Sequence, residues 1–151
     1  MYDIIVFSSF YKPHLGGVEK YVENFYKRIP SKKILIVTSK HDKNLTTREK
    51  DQELEIFRID SVEIIKGKYF IPSINGFKQI KKILKENQKD NLEVHTHTRF
   101  YLTNFIATFL SNRYHYTHYH FEHGSSFVKD GSSFLKTFAC LFDQSDRKSV
   151  V

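Results

Sequence analysis

Phe10-Tyr11-Lys12-Pro13-His14-Leu15-Gly16-Gly17-Val18-Glu19 follows the apolar run Ile4-Ile5-Val6-Phe7 and precedes an amphipathic run from Val18 to Ile29. Strand, glycine turn and helix is the geometry that brings backbone N–H groups to a phosphate. Gly16 and Gly17 have no Cβ, so the turn can take positive φ and a ligand can come close. The helix starting near Gly17 adds the positive end of its dipole. The same double glycine also reads as a plain tight turn before a helix.

On either side the pattern is that of an α/β protein. Ile4 to Ser8 is apolar on both faces, as a buried parallel strand requires. Val18, Tyr21, Val22, Phe25 and Ile29 recur at helical spacing until Pro30-Ser31. Ile34 to Thr38 is a second apolar strand, which completes a right-handed β-α-β unit. Residues 39 to 53 are highly charged and predict a solvated loop. Leu54 to Ile59 predicts a third, more exposed strand, and Val62 to Ile65 extends it or forms a short extra one. Tyr69 to Pro72 predicts a loop with exposed aromatics.

Ile74, Phe77, Ile80, Ile83 and Leu84 mark a second amphipathic helix, with Lys78, Lys81, Lys82 and Lys85 toward solvent or anionic phospholipid. Leu92 to His97 predicts a strand, Phe100 to Leu110 a helix, and Tyr116 to Glu122 a further strand. Ser132 or Ser133 can cap a helix through Phe142, and Ser149 to Val151 resembles the start of a strand. Alternation of this kind gives a Rossmann-like, open, mostly parallel sheet with helices on both faces.

The chain of 151 residues suits one domain, and 40% hydrophobic with 27% charged residues is ordinary for a soluble protein. The formal charge of +7 favours anionic partners: phosphorylated ligands, nucleic acid or an anionic membrane surface. The lysines are scattered, and no recognition helix or aromatic RNA-binding motif stands out, which argues against nucleic acid. The single cysteine, Cys140, agrees with a reducing compartment and falls on an apolar face as a core residue. No secretory leader or membrane-spanning run is evident, so a cytoplasmic protein is expected, compatible with a peripheral place at the inner membrane face.

In open parallel sheets ligands sit beyond the carboxyl ends of the strands. The polar residues expected there are Gly16 and Gly17, then His95, His97 and Arg99, then Glu122, His123 and Gly124. His95 with His97, and His118 with His120, each share a strand face, so two adjacent strands can present four imidazoles. No HExxH or Cys/His zinc spacing supports a metal, and ordinary hydrogen bonding accounts for these histidines. His123, beside Gly124 at a strand end, reads as functional. Glu19 in a first helical turn stabilises the dipole or serves the site. Arg99 pairs with a phosphate, an acceptor carboxylate or a surface acid. Ser125 and Ser126 offer hydroxyls, with no paired base to make a nucleophile.

Pro13-x-x-Gly16-Gly17-x-Glu19, Val94-His95-Thr96-His97, Glu122-His123-Gly124 and the tail from Phe142 to Val151 together resemble the N-terminal, acceptor-side domain of GT-B glycosyltransferases of family 4. The motifs stand in the family's order and spacing across nearly the whole chain. The resemblance implies retaining transfer of a sugar, of hexosyltransferase type, from a nucleotide-sugar donor to a glycan or lipid-linked acceptor, as in polysaccharide biosynthesis. It implies no metal, and no cofactor beyond the nucleotide-sugar as substrate. It puts Gly16, Gly17 and Gly124 by the donor diphosphate, His123 at the donor sugar as the catalytic residue, and Glu19, His97, Arg99 and Glu122 on the acceptor side of the cleft.

The family's donor-binding half has no counterpart in residues 1–151, so the chain is expected to be a fragment or truncated product, inactive by itself. The alternative expectation is a non-catalytic module of the same fold that binds an anionic ligand or a membrane surface.

Overall fold

The computed structural model describes residues 1–98 and 100–123. Arg99, Gly124, Ser125, Ser126, the helix expected after Ser132 and Ser133, Cys140 and the tail from Phe142 lie outside the described residues.

A six-stranded sheet carries the fold. The central strands are β1 (Ile4–Ser8) and β2 (Ile34–Ser39), buried along their whole lengths because helices cover both faces. The remaining strands are β3 (Arg48–Asp51), β4 (Leu54–Ile59), β7 (Glu93–His97) and β8 (Thr117–Phe121), in the order β3-β4-β2-β1-β7-β8. All neighbours are parallel except β3, which pairs antiparallel with β4 at the edge. The order reverses between β1 and β7, where Ser8 is level with His97. That reversal is a topological switch point, where doubly wound sheets open a crevice.

Helix α1 (Gly17–Tyr26) covers one face, packing Val22 and Tyr26 on Ile4, Val6, Ile36 and Ile56. Helices α2 (Ile74–Glu86) and α3 (Leu102–Tyr114) cover the other, with Ile80, Leu84, Ala107 and Leu110 on Ile5, Phe7, Val37 and Val94. Ser73 caps α2 by accepting the Gly76 N–H at 3.0 Å.

The structure differs from the sequence reading at several elements. The segment 39–53 is not only a solvated loop, because it contains β3, held by ion pairs described below. Tyr69–Pro72 is strand β6, paired in a hairpin with β5 (Ser61–Ile65), and Phe70 is buried because it turns inward against Phe10. Strand β4 is not the exposed one: Leu54, Ile56, Arg58 and Ile59 are all buried. In α1, Tyr21 leaves the apolar stripe and is half-exposed; in α2, Ile74 is 82% exposed and Phe77 40%. Helical spacing alone therefore overcounts the buried stripe at these positions.

Candidate active site

The turn after β1 is fixed from the outer edge of the sheet. Lys12 Nζ reaches Glu23 of α1 at 2.5 Å and Asp51 of β3 at 3.0 Å, and Lys27 Nζ joins the same carboxylates at 2.6 and 3.5 Å. Arg58 is buried; its Nη2 donates to the Lys12 carbonyl at 2.8 Å, while Nη1 pairs with Glu49 at 2.8 Å. A guanidinium buried in this way is tolerable because both Nη groups have fixed acceptors, Nη1 also donating to the Thr46 carbonyl at 3.1 Å, although Nε has no partner among the described residues. Nothing in the sequence singled out Arg58 or Asp51, since a charged residue in a strand reads as a solvent-facing one.

The two glycines play different parts. Neither takes positive φ; Gly16 is extended at φ −146° and serves as the N-cap of α1. A Cβ on Gly16 would run into the carboxylate of buried Glu19, which folds back over the cap and bonds His14 Nδ1 at 3.2 Å. A Cβ on Gly17 would meet nothing within 4 Å, so Gly17 is the residue that leaves room at the helix N-terminus. The dipole there already faces one carboxylate of its own chain, Glu19.

Strands β7 and β8 bring their histidines to opposite faces, which undoes the four-imidazole arrangement. The parallel register sets His95 beside Tyr119 and Thr96 beside His120, one residue out of step for a shared face. His118 and His120 therefore meet Thr96 Oγ1 on the α3 side, both at 2.9 Å. His95 and His97 lie on the α1 side against the Tyr26 hydroxyl, each at 2.8 Å. Among the described residues no group of three or more His, Cys, Asp or Glu side chains could hold a metal ion.

His97 and His123 come together, His97 Nδ1 lying 2.8 Å from His123 Nε2 with their rings stacked 5.1 Å apart. Tyr21, in the helix that follows Gly16 and Gly17, sets its ring edge-on to His123 at 4.7 Å. Burial pushes the His97 imidazole down to about 3, helped by His123, His95 and His120 nearby. Burial likewise lowers His123 and His95. Glu122 turns aside, pairing with His120 Nε2 at 3.2 Å.

Asn104 is a site-shaping residue the sequence reading missed. Its Nδ2 donates to the His97 carbonyl at 2.5 Å and the Thr98 carbonyl at 2.6 Å, clamping the end of β7. Thr98 there takes φ +69°, a region a β-branched residue rarely enters, at a cost of order 1–3 kcal/mol. An asparagine one turn into a helix gives no signal of such a contact until the fold is known. Buried hydroxyls of Ser9, Thr38, Ser39 and Thr98, at the same carboxyl ends, have no hydrogen-bond partner among the described residues. Orphan polar groups of this kind are few in native proteins and suit a site for a polar ligand.

Over 153 aligned residues the chain is 28% identical to a protein of Methanocaldococcus jannaschii named as an uncharacterized glycosyltransferase, covering 97% of this chain and 38% of that one. The chain is similar to a glycosyltransferase. Among solved structures it shares the fold of sucrose-phosphate synthase from Thermosynechococcus elongatus, with a TM-score of 0.59 and 15% identity over 97% of this chain and 45% of that one. The chain thus spans less than half the length of either protein it matches. No family model matches.

Proposed function

We propose that residues 1–151 form the acceptor-side, N-terminal domain of a retaining GT-B glycosyltransferase of family 4, whose donor-binding domain lies outside these residues. The observation that carries this reading is the 28% identity to a glycosyltransferase across 97% of the chain. The switch-point rim holding Gly17, His97 and His123 supports it, as do the unpartnered hydroxyls, which suit a hydroxyl-rich ligand.

In the reaction an acceptor hydroxyl oxygen bonds to the anomeric carbon of the donor sugar. The bond from that carbon to the diphosphate oxygen breaks, the nucleoside diphosphate leaves with the electron pair, and the hydroxyl proton passes to its phosphate oxygen. On this chain, the α1 N-terminus at Gly17 stabilises the leaving diphosphate, with Gly16 in the same turn and Gly124 assigned to the donor side by the family resemblance. His123, neutral at physiological pH, bonds a donor-sugar hydroxyl as the catalytic residue. Glu19, His97, Arg99 and Glu122 belong to the acceptor side. The test is transfer from a panel of nucleotide sugars by the full-length protein; no transfer and no donor hydrolysis with any of them overturns the reading.

Gly17→Val tests the phosphate approach. Its side chain enters open space, so the melting temperature should hold, while the donor KM rises about 10-fold or more as the diphosphate is kept off the helix. An unchanged KM removes Gly17 from the donor site.

The acceptor is proposed to be lipid-linked, met at an anionic membrane surface. Exposed Ile74 and Phe77 share one helical stripe with Lys78 and Lys81, an apolar edge set in positive charge. No helix among the described residues is long and apolar enough to cross a membrane. The chain should sediment with phosphatidylglycerol vesicles but not phosphatidylcholine ones, and salt should release it. Equal sedimentation with both vesicle types counts against the surface.

A further inference from the structure

A single file of hydrogen bonds crosses the α1 face, from the side of the sheet to the rim. Glu93 Oε2 lies 3.2 Å from His95 Nε2, and the Tyr26 hydroxyl lies 2.8 Å from both His95 Nδ1 and His97 Nε2. His97 Nδ1 then lies 2.8 Å from His123 Nε2. Protons can be placed on this file in one way. The Glu93 carboxylate only accepts, so His95 Nε2 carries the hydrogen and His95 Nδ1 is bare. Tyr26 has one proton and must donate it to that bare nitrogen, so its oxygen accepts from His97 Nε2. His97 Nδ1 is bare in turn and accepts from His123 Nε2.

We propose that Glu93 sets the tautomer of His123 through Tyr26 and His97, leaving Nδ1 as the bare, accepting nitrogen of His123. Glu93 and Tyr26 are positioning residues, since neither borders the rim. The three imidazoles stay neutral because burial lowers all of them, and burial raises the Tyr26 phenol, so each link keeps its single proton. His123 accordingly accepts a hydrogen bond from a sugar hydroxyl and does not donate one; that use rests on the transferase reading, whereas the tautomer does not.

The test is the imidazole tautomer read by long-range 1H–15N spectra of the 15N-labelled protein. His123 should show a pyridine-like Nδ1 and a pyrrole-like Nε2. Tyr26→Phe removes the acceptor for His97 Nε2, so His97 should move its proton to Nδ1 and drive His123 to the opposite tautomer. Glu93 is half-buried at the near end of the file. Glu93→Gln keeps its shape but can donate as well as accept, so His123 should become a mixture, which serves even where Tyr26→Phe does not fold. A wild-type His123 protonated at Nδ1, or one whose tautomer ignores both substitutions, overturns the relay. Intact relay spectra beside a failed nucleotide-sugar panel would discard the transferase reading alone.

Discussion

On the proposed transferase reading, His123→Ala should lower turnover of the full-length protein by roughly 10²- to 10³-fold, the range for losing a positioned group in the transition state. The fold should survive. His123 is only half-buried, it follows β8 and lies outside both core clusters, and its side chain bonds His97 alone among the described residues. Truncation leaves buried His97 Nδ1 without this partner, a cost of about 1–3 kcal/mol. The measurement is kcat and KM with the best donor of the panel, beside a thermal melt. A loss of kcat with an unchanged melt assigns the effect to the site. Wild-type turnover removes His123 from it.

Gly76→Ala should be the most damaging small substitution for stability. Gly76 lies in the first turn of α2, and a Cβ there would collide with the Asp60 carbonyl oxygen and come within 3.3 Å of Pro72 Cβ. The obstacle is backbone, so no rotamer change relieves it. The Asp60 carbonyl also accepts from the Ser73 N–H at 2.9 Å, and the Asp60 N–H donates to Gln79 at 2.9 Å. Moving α2 away breaks those bonds and lifts Ile80 and Leu84 from the sheet. Overpacking of this kind costs about 3 kcal/mol, which lowers the melting temperature by about 10 °C in a chain of this size. An unaltered melt would mean that Gly76 does not pack against the Asp60 carbonyl.

The sequence made legible whatever follows from local pattern. Ile4 to Ser8 and Ile34 to Thr38 are continuous apolar runs because both faces are covered, and α1 and α2 show most of their stripes, whereas α3 buries Ala107 and Leu110 but leaves Phe105 and Phe109 exposed. Hidden features depend on partners far away in sequence. Strand β3 reads Arg-Glu-Lys-Asp, with no strand pattern, and exists through pairing with β4 and through the cations of Lys12, Lys27 and Arg58. The two histidine pairs fall on opposite faces because of the β7–β8 register, which alternation within either strand does not reveal. At the site, the glycine turn and the strand-end histidines could be located from punctuation and order. The Glu19 fold-back onto Gly16, the Asn104 clamp and the histidine file could not, since each is a contact between side chains that only the packed sheet brings together.

The charged segment between β2 and β4 would ordinarily be where a chain tolerates insertion or exchange. Here that freedom is curtailed. Glu49 and Asp51 anchor the side chains whose other ends grip the Lys12 backbone and the Glu23 carboxylate, beside the double glycine. A chimaera that borrows this segment from a relative must therefore bring matching residues at 12, 27 and 58 with it. Transplanted by itself, it would loosen the turn between β1 and α1 without altering any residue in it.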